Sequence, residues 1–176
     1  MRIISLLLFI LLLSCTNDPK LVQEFVSEKV QAVEQIKQAE LLHTENGIIK
    51  VRIVAGKIER FKEIQPDLIF SESIKVYFYN DSSKIKSVLK AEDAKIDNKK
   101  KIMLAQNNVV LTNKDSQKLE TNELIWDEKT DRIYTNKEVK ITTGKEVIYG
   151  EGFTSNSDFS EYSIVKIKGT FDFTDD

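Results

Sequence analysis

The sequence predicts an all-β, antiparallel fold. Two observations carry this expectation. From Leu41 onward, apolar residues alternate with polar ones over short runs, and the connections between runs are brief clusters of Asn, Asp, Gly and Lys without helical period. A parallel sheet would need crossovers of roughly a dozen residues or more, and no connection here has both that length and a helical pattern.

The N-terminus reads as a targeting segment. Arg2 precedes an apolar run, Ile3 to Leu13, broken only by Ser5. As a helix this run reaches about 16 Å at ~1.5 Å per residue, whereas a bilayer core is about 30 Å thick, so it fits a secretory h-region better than a permanent span. Leu12-Leu13-Ser14-Cys15 resembles the lipobox of bacterial lipoproteins, in which cleavage precedes the cysteine and the cysteine carries the lipid. Residues 1–14 are therefore expected to be a signal peptide and Cys15 the lipid attachment site.

Residues 15–37 are read as a tether followed by a short helix or linker. Thr16 to Lys20 is polar and contains Pro19, and from Leu21 to Ile36 the residues Val22, Phe25, Val26, Val30, Val33 and Ile36 recur at spacings of three and four. The valines weaken a helix there, because β-branched side chains lose χ1 freedom.

The β domain is expected over 38–174. Asn46-Gly47 lies between apolar runs and predicts a tight hairpin, since both residues tolerate positive φ. The returning strand has Val51 and Ile53 alternating with Arg52 and Val54, and Gly56 to Phe61 continues it as a further strand or a bent extension. Pro66-Asp67 turns the chain into Leu68 to Phe70, and Ser73 to Tyr79 alternates again before the turn at Asn80 to Ser83. Later strands are expected at Ile85–Ile96, Ile102–Leu104, Val109–Thr112, Leu119–Trp126, Arg132–Thr135, Val139–Thr142, Glu146–Tyr149 and Tyr162–Phe171. The connections assigned between them include Asp97 to Lys101, Asn107-Asn108, Asn136-Lys137, and the stretch from Gly150 to Ser160. An internal echo supports this rhythm: at an offset of 30, Asp97, Lys99, Val109 and Thr112 match Asp127, Lys129, Val139 and Thr142.

Composition narrows the chemistry. The chain of 176 residues has 26 Lys plus Arg against 28 Asp plus Glu, which gives no basic excess for nucleic acid. One Cys and one His leave a multi-ligand zinc site or an internal disulfide without enough ligands. His43 reads as a surface or turn histidine. Gly144-Lys145 lacks the rest of a phosphate loop, with Val139 and Glu146 where Gly and Ser or Thr are required. No catalytic residue, metal site or cofactor is expected, and Trp126 beside Leu124 reads as a core anchor or part of an apolar ligand surface.

The C-terminal half carries a recognisable order of pieces. Leu124-Ile125-Trp126-Asp127, Ile133-Tyr134-Thr135-Asn136, Glu138-Val139-Lys140-Ile141, Ile148-Tyr149-Gly150-Glu151-Gly152-Phe153 and Ile167-Lys168-Gly169 together resemble the LptC family of lipopolysaccharide export components. The hairpin from Glu45 to Ile58 is similar to the first strands of that family.

This resemblance implies a twisted, open antiparallel β-jellyroll of the OstA-like kind with an apolar interior groove. It implies a non-enzymatic carrier that takes lipopolysaccharide acyl chains from an inner-membrane ABC transporter and passes them to a periplasmic bridge protein of similar fold. The alternative is a structural or scaffolding lipoprotein whose solid β core binds only proteins. Family members commonly begin with a transmembrane helix, where this chain has Cys15, so the expected location is periplasmic, lipid-anchored, at the inner membrane. Alternation within the strands assigns Val51, Ile53, Leu124, Trp126, Val139 and Ile141 to the groove and turns Arg52 and Lys140 to water. A relay needs an open edge at each end, which assigns Leu41 at one end and Tyr162 and Ile167 at the other to partner contacts.

Overall fold

A computed structural model describes residues 32–168. Ten strands are formed: β1 (Glu34–Glu45), β2 (Ile48–Arg60), β3 (Leu68–Tyr79), β4 (Ile85–Ala91), β5 (Asp93–Asp97), β6 (Ile102–Asn113), β7 (Lys118–Asp127), β8 (Arg132–Thr142), β9 (Val147–Asn156) and β10 (Tyr162–Lys168). All pair antiparallel in one sheet, ordered β1-β2-β3-β4-β6-β7-β8-β9-β10. β5 is no extra layer. It pairs with Leu68–Phe70 of β3 and Ile102–Gln106 of β6, while β4 pairs with Ile74–Tyr79 and Val110–Asn113 of the same two strands. β4 and β5 thus share one place in the sheet, interrupted at Glu92.

The Asn46-Gly47 hairpin forms as its sequence predicts, with φ positive at both residues and Glu45 facing Ile48. Four other assignments change. Asn107-Asn108 and Asn136-Lys137 are not turns between strands but bulges inside β6 and β8, where the register shifts. The physical reason is that an asparagine at positive φ, such as Asn107 or Asn108, closes a turn and forms a bulge equally well. Most of the Gly150–Ser160 stretch is likewise strand, β9, which runs to Asn156. At the N-terminal side, Glu34 to Ile36, placed in the helical stripe by spacing, pair with Arg60, Glu59 and Ile58 as strand. Pairing with β2 outweighs a stripe rich in β-branched residues. The rest of that stripe, and Cys15, lie outside the described residues.

These interruptions fall on one line across the sheet. Gln38 faces Gly56 between the Lys37–Lys57 and Ala39–Ala55 pairs. Next come Glu72 and Ser73, both at positive φ, then Glu92, then Asn107-Asn108. The line goes on through Asn122, Asn136-Lys137 and Gly152. Polar groups replace the ladder bonds lost there. The N–H of Glu92 donates to the carbonyl of Asn107 at 3.1 Å, and Thr121 Oγ1 donates to the carbonyl of Glu138 at 2.8 Å. Gly56 is required at its place because a Cβ would sit 2.5 Å from the carbonyl oxygen of Glu72.

The line divides every long strand into two limbs whose inner faces pack on each other, giving the open β-jellyroll. Phe78, on the β3 half that pairs with β4, meets Trp126, on the β7 half that pairs with the start of β6, edge to face with centroids 5.2 Å apart. Ser87 Oγ donates to the carbonyl of Ser157 at 2.5 Å, and Asn113 Nδ2 to that of Phe159 at 2.9 Å, tying β4 and β6 to the β9–β10 turn. Phe153, Phe159 and Tyr162 cluster there at 5.4 to 6.0 Å. Buried residues of both limbs join in a single apolar core. At the β5–β6 turn the N–H of Lys100 donates to Asp97 at 3.0 Å, which holds that carboxyl below its usual range.

Candidate functional site

The interior is not filled evenly. On the inner face of β1, Ala39, Leu41 and His43 face Ala55, Ile53 and Val51 of β2 across the hairpin. Period-two alternation puts all six on one side. Opposite them stand Ile96 of β5, Met103 of β6 and Trp126 of β7. Three cavities succeed one another along β1, and the second and third of them reach this opposite wall. One of about 240 Å³ is lined by Ile36, Ala39, Leu41, Ile58 and Leu68 among others. It is followed by a narrow one of about 60 Å³, which shares Leu41 and adds Val51, Ile53, Ile96, Met103 and Trp126. The third, of about 420 Å³, shares His43, Val51, Trp126 and Glu128 with the second and opens among polar residues. That last volume is within the range of small-molecule sites, roughly 300 to 1,000 Å³.

The mouth is walled by paired charges. Lys50 is bonded to Asp81, and this contact raises the lysine and lowers the carboxyl relative to their ordinary ranges. Lys86 Nζ donates to Ser157 Oγ at 2.5 Å and lies 3.5 Å from Asp131. Lys101 is 3.1 Å from Glu128, and His43 Nε2 stands 3.7 Å from both Glu45 and Glu128. Two buried polar atoms in this wall have no hydrogen-bond partner among the described residues: His43 Nε2 and Trp126 Nε1. Leaving a buried donor unpaired costs about 1–3 kcal/mol, and for His43 the carboxylates of Glu45 and Glu128 lie just beyond hydrogen-bond distance. Among the described residues no group of three or more His, Cys, Asp or Glu is placed to hold a metal.

The residues assigned from sequence are distributed as follows. Val51, Ile53 and Trp126 line the cavities together. Leu124 and Ile141 are fully buried and Val139 nearly so, in the packed interior away from those linings. Arg52 forms a two-point ion pair with Glu40 at 2.9 and 3.0 Å, and Lys140 lies 3.5 Å from Glu120, both on the outer face. Leu41 is on the edge strand β1, but its side chain turns into the cavity line. Ile167, 54% exposed, is on the other edge strand, while Tyr162 is half-buried against Phe153 and Phe159. His43, read from sequence as a surface or turn histidine, lines the second and third cavities. The cue was present, because it follows Leu41 by two and stands opposite Val51 in the hairpin.

An antiparallel sheet folded on itself, with a partly open apolar seam beside one edge strand, defines the class: an open β-jellyroll. Over residues 3–171 the chain matches the family model described as lipopolysaccharide-assembly, LptC-related, and it belongs to that family. Membership carries a role in lipopolysaccharide transport. The comparison with curated proteins returns no match.

Proposed function

We propose that the protein is a non-enzymatic carrier that relays lipopolysaccharide from an inner-membrane ABC transporter to a periplasmic bridge protein of similar fold. The observation that carries this reading is the succession of cavities along β1, apolar at Leu41, Ile53 and Met103 and polar at its mouth. Acyl chains crossing water need such a path, because each exposed CH₂ forfeits about 0.8 kcal/mol. The chains enter along Leu41, Val51, Ile53 and Trp126. Leu124, Val139 and Ile141 extend the apolar interior beyond, reached when the limbs part.

Each end of the sheet offers an open edge. Among the described residues β1 pairs only with β2, and β10 only with β9. On β10 the side chains of Val165 and Ile167 are 75% and 54% exposed. A neighbour of like fold can add its own edge strand to each, which suits a relay; Tyr162 and Ile167 mark one such edge and the Leu41 strand the other. The rival reading, a scaffolding lipoprotein with a solid core, draws on the complete burial of Leu124 and Ile141.

A fluorescent sixteen-carbon fatty acyl probe separates the two. Trp126 is the single tryptophan and lines the narrow cavity, so saturable binding with energy transfer from its indole is the expected result. Absence of binding by the folded protein would favour the scaffold.

Attachment is a separate proposal. Cys15 carries the lipid that holds the domain in the periplasm at the inner membrane. Metabolic labelling with a radioactive fatty acid is expected to mark the wild-type chain and not Cys15→Ala, which accumulates as unprocessed precursor. Equal labelling of both would exclude it.

A further inference from the structure

We propose that the outer face of β3, β4 and β6 is a seat for anionic phospholipid headgroups, which holds the domain against a bilayer surface and leaves both edge strands free. The face is hollowed there by about 410 Å³, lined by Lys75 and Tyr77 of β3, Lys86, Val88 and Lys90 of β4, and Lys114 beyond the end of β6. Four lysines and no carboxylate line the hollow, in a chain where 28 acids stand against 26 lysines and arginines.

The arrangement of these lysines calls for an anion. Lys75 faces Lys90 directly across the β3–β4 ladder. Like charges placed opposite one another in a sheet are destabilising, and an anion laid over both relieves the repulsion. Among the described residues Lys75, Lys90 and Lys114 form no ion pair, whereas their neighbours do: Lys86 lies 3.5 Å from Asp131 and Lys118 lies 3.1 Å from Glu120.

Apolar surface between the charges selects a bilayer over a free anion. Tyr77 faces Val88 one pleat along from the lysine pair, and Ile85 beyond them is 48% exposed. A headgroup layer satisfies both kinds of group, since ammonium groups reach phosphate while lysine stems and a tyrosine ring rest at the interface. The inner membrane proposed above for the domain supplies such a surface. Lys86 lines this hollow and the mouth of the groove alike, so seating on this face brings the mouth to the lipid.

Acetylation by a water-soluble reagent, read lysine by lysine by mass spectrometry, tests this on the full chain mixed with vesicles. One set of vesicles is phosphatidylcholine alone, the other phosphatidylcholine with phosphatidylglycerol. On the mixed vesicles Lys75, Lys90 and Lys114 are expected to react about fivefold more slowly than on phosphatidylcholine, and high salt is expected to abolish the difference. Lys62, exposed in the connection between β2 and β3 at the other end of β3, is expected to react alike on both. Lys75→Glu combined with Lys90→Glu, both exposed, is expected to remove the protection of Lys114. Equal rates for Lys75 and Lys90 on the two vesicles would overturn the seat, as would equal slowing of Lys62. Slow reaction on phosphatidylcholine alone would mean that a segment of the chain covers the lysines. Slowing in membranes prepared from cells, but on neither vesicle, would mean an acidic protein partner. Either result would overturn the seat and leave the groove standing.

Discussion

Gly56→Ala is expected to destabilise the domain by roughly 2 kcal/mol, within the range for an atom forced into a packed position. The added Cβ would lie 2.5 Å from the carbonyl oxygen and 2.6 Å from the Cβ of Glu72. Both belong to or adjoin backbone, so neither can swing aside as the end of a flexible side chain would. Glu72 and Ser73 already hold positive φ, which leaves β3 little room to adjust. Denaturant unfolding of the wild type and variant measures the difference. A change under about 0.5 kcal/mol, the usual size for surface substitutions, would mean that the close approach at the fold line is not what holds the limbs in place.

Leu41→Trp is expected to abolish lipopolysaccharide export while leaving the fold intact. Leu41 lines both the cavity of about 240 Å³ and the narrow one of about 60 Å³. An indole there blocks the path between them. The residue is only half-buried, on an edge strand, so the larger side chain has solvent to lean into and stability should shift by about 1 kcal/mol or less. Leu41→Ala widens the same point and should be tolerated. Arrival of newly made lipopolysaccharide at the cell surface, in cells relying on the variant, is the measurement. Normal export with Leu41→Trp would remove the cavity line from the account.

Local rules made much of the fold legible. Asn46-Gly47 sets the first hairpin, and the alternation Val51, Ile53 against Arg52 gives the facing of β2, because both depend on neighbours in sequence. The fold line was not legible for the same reason. Asn107-Asn108 satisfies turn chemistry as well as bulge chemistry, and the choice between them is made by β7 on one side and by β4 and β5, which meet beside it, on the other. The echo at an offset of 30 repeats the same ambiguity, since an Asn turn used twice reads like an Asn bulge used twice. It maps the β5–β6 hairpin onto the β7–β8 hairpin, with an asparagine interruption in β6 and in β8 alike.

The site divides in the same way. Val51, Ile53 and Trp126, placed on the inner face by alternation, line the narrow cavity. Alternation reports only which face a residue takes, and cannot separate packed interior from cavity wall. Leu124, Val139 and Ile141 share the inner face with the others yet lie in the filled part. His43 was set aside because a lone histidine has no sequence partner. Its neighbours Glu45 and Glu128 come from β1 itself and from the β7–β8 turn of the opposite limb, and only the folded sheet brings Glu128 near.

The central claim is that lipid travels along the inner face of β1. A photoreactive amino acid placed at Leu41, and in a second variant at Leu42, tests it in cells with the transporter running. The two residues are consecutive, but Leu41 lines the cavities while Leu42 is 48% exposed on the outer face. Crosslinks to lipopolysaccharide at Leu41 and none at Leu42 are the predicted result. Equal crosslinking at both positions, or none at Leu41 while export proceeds, would contradict it.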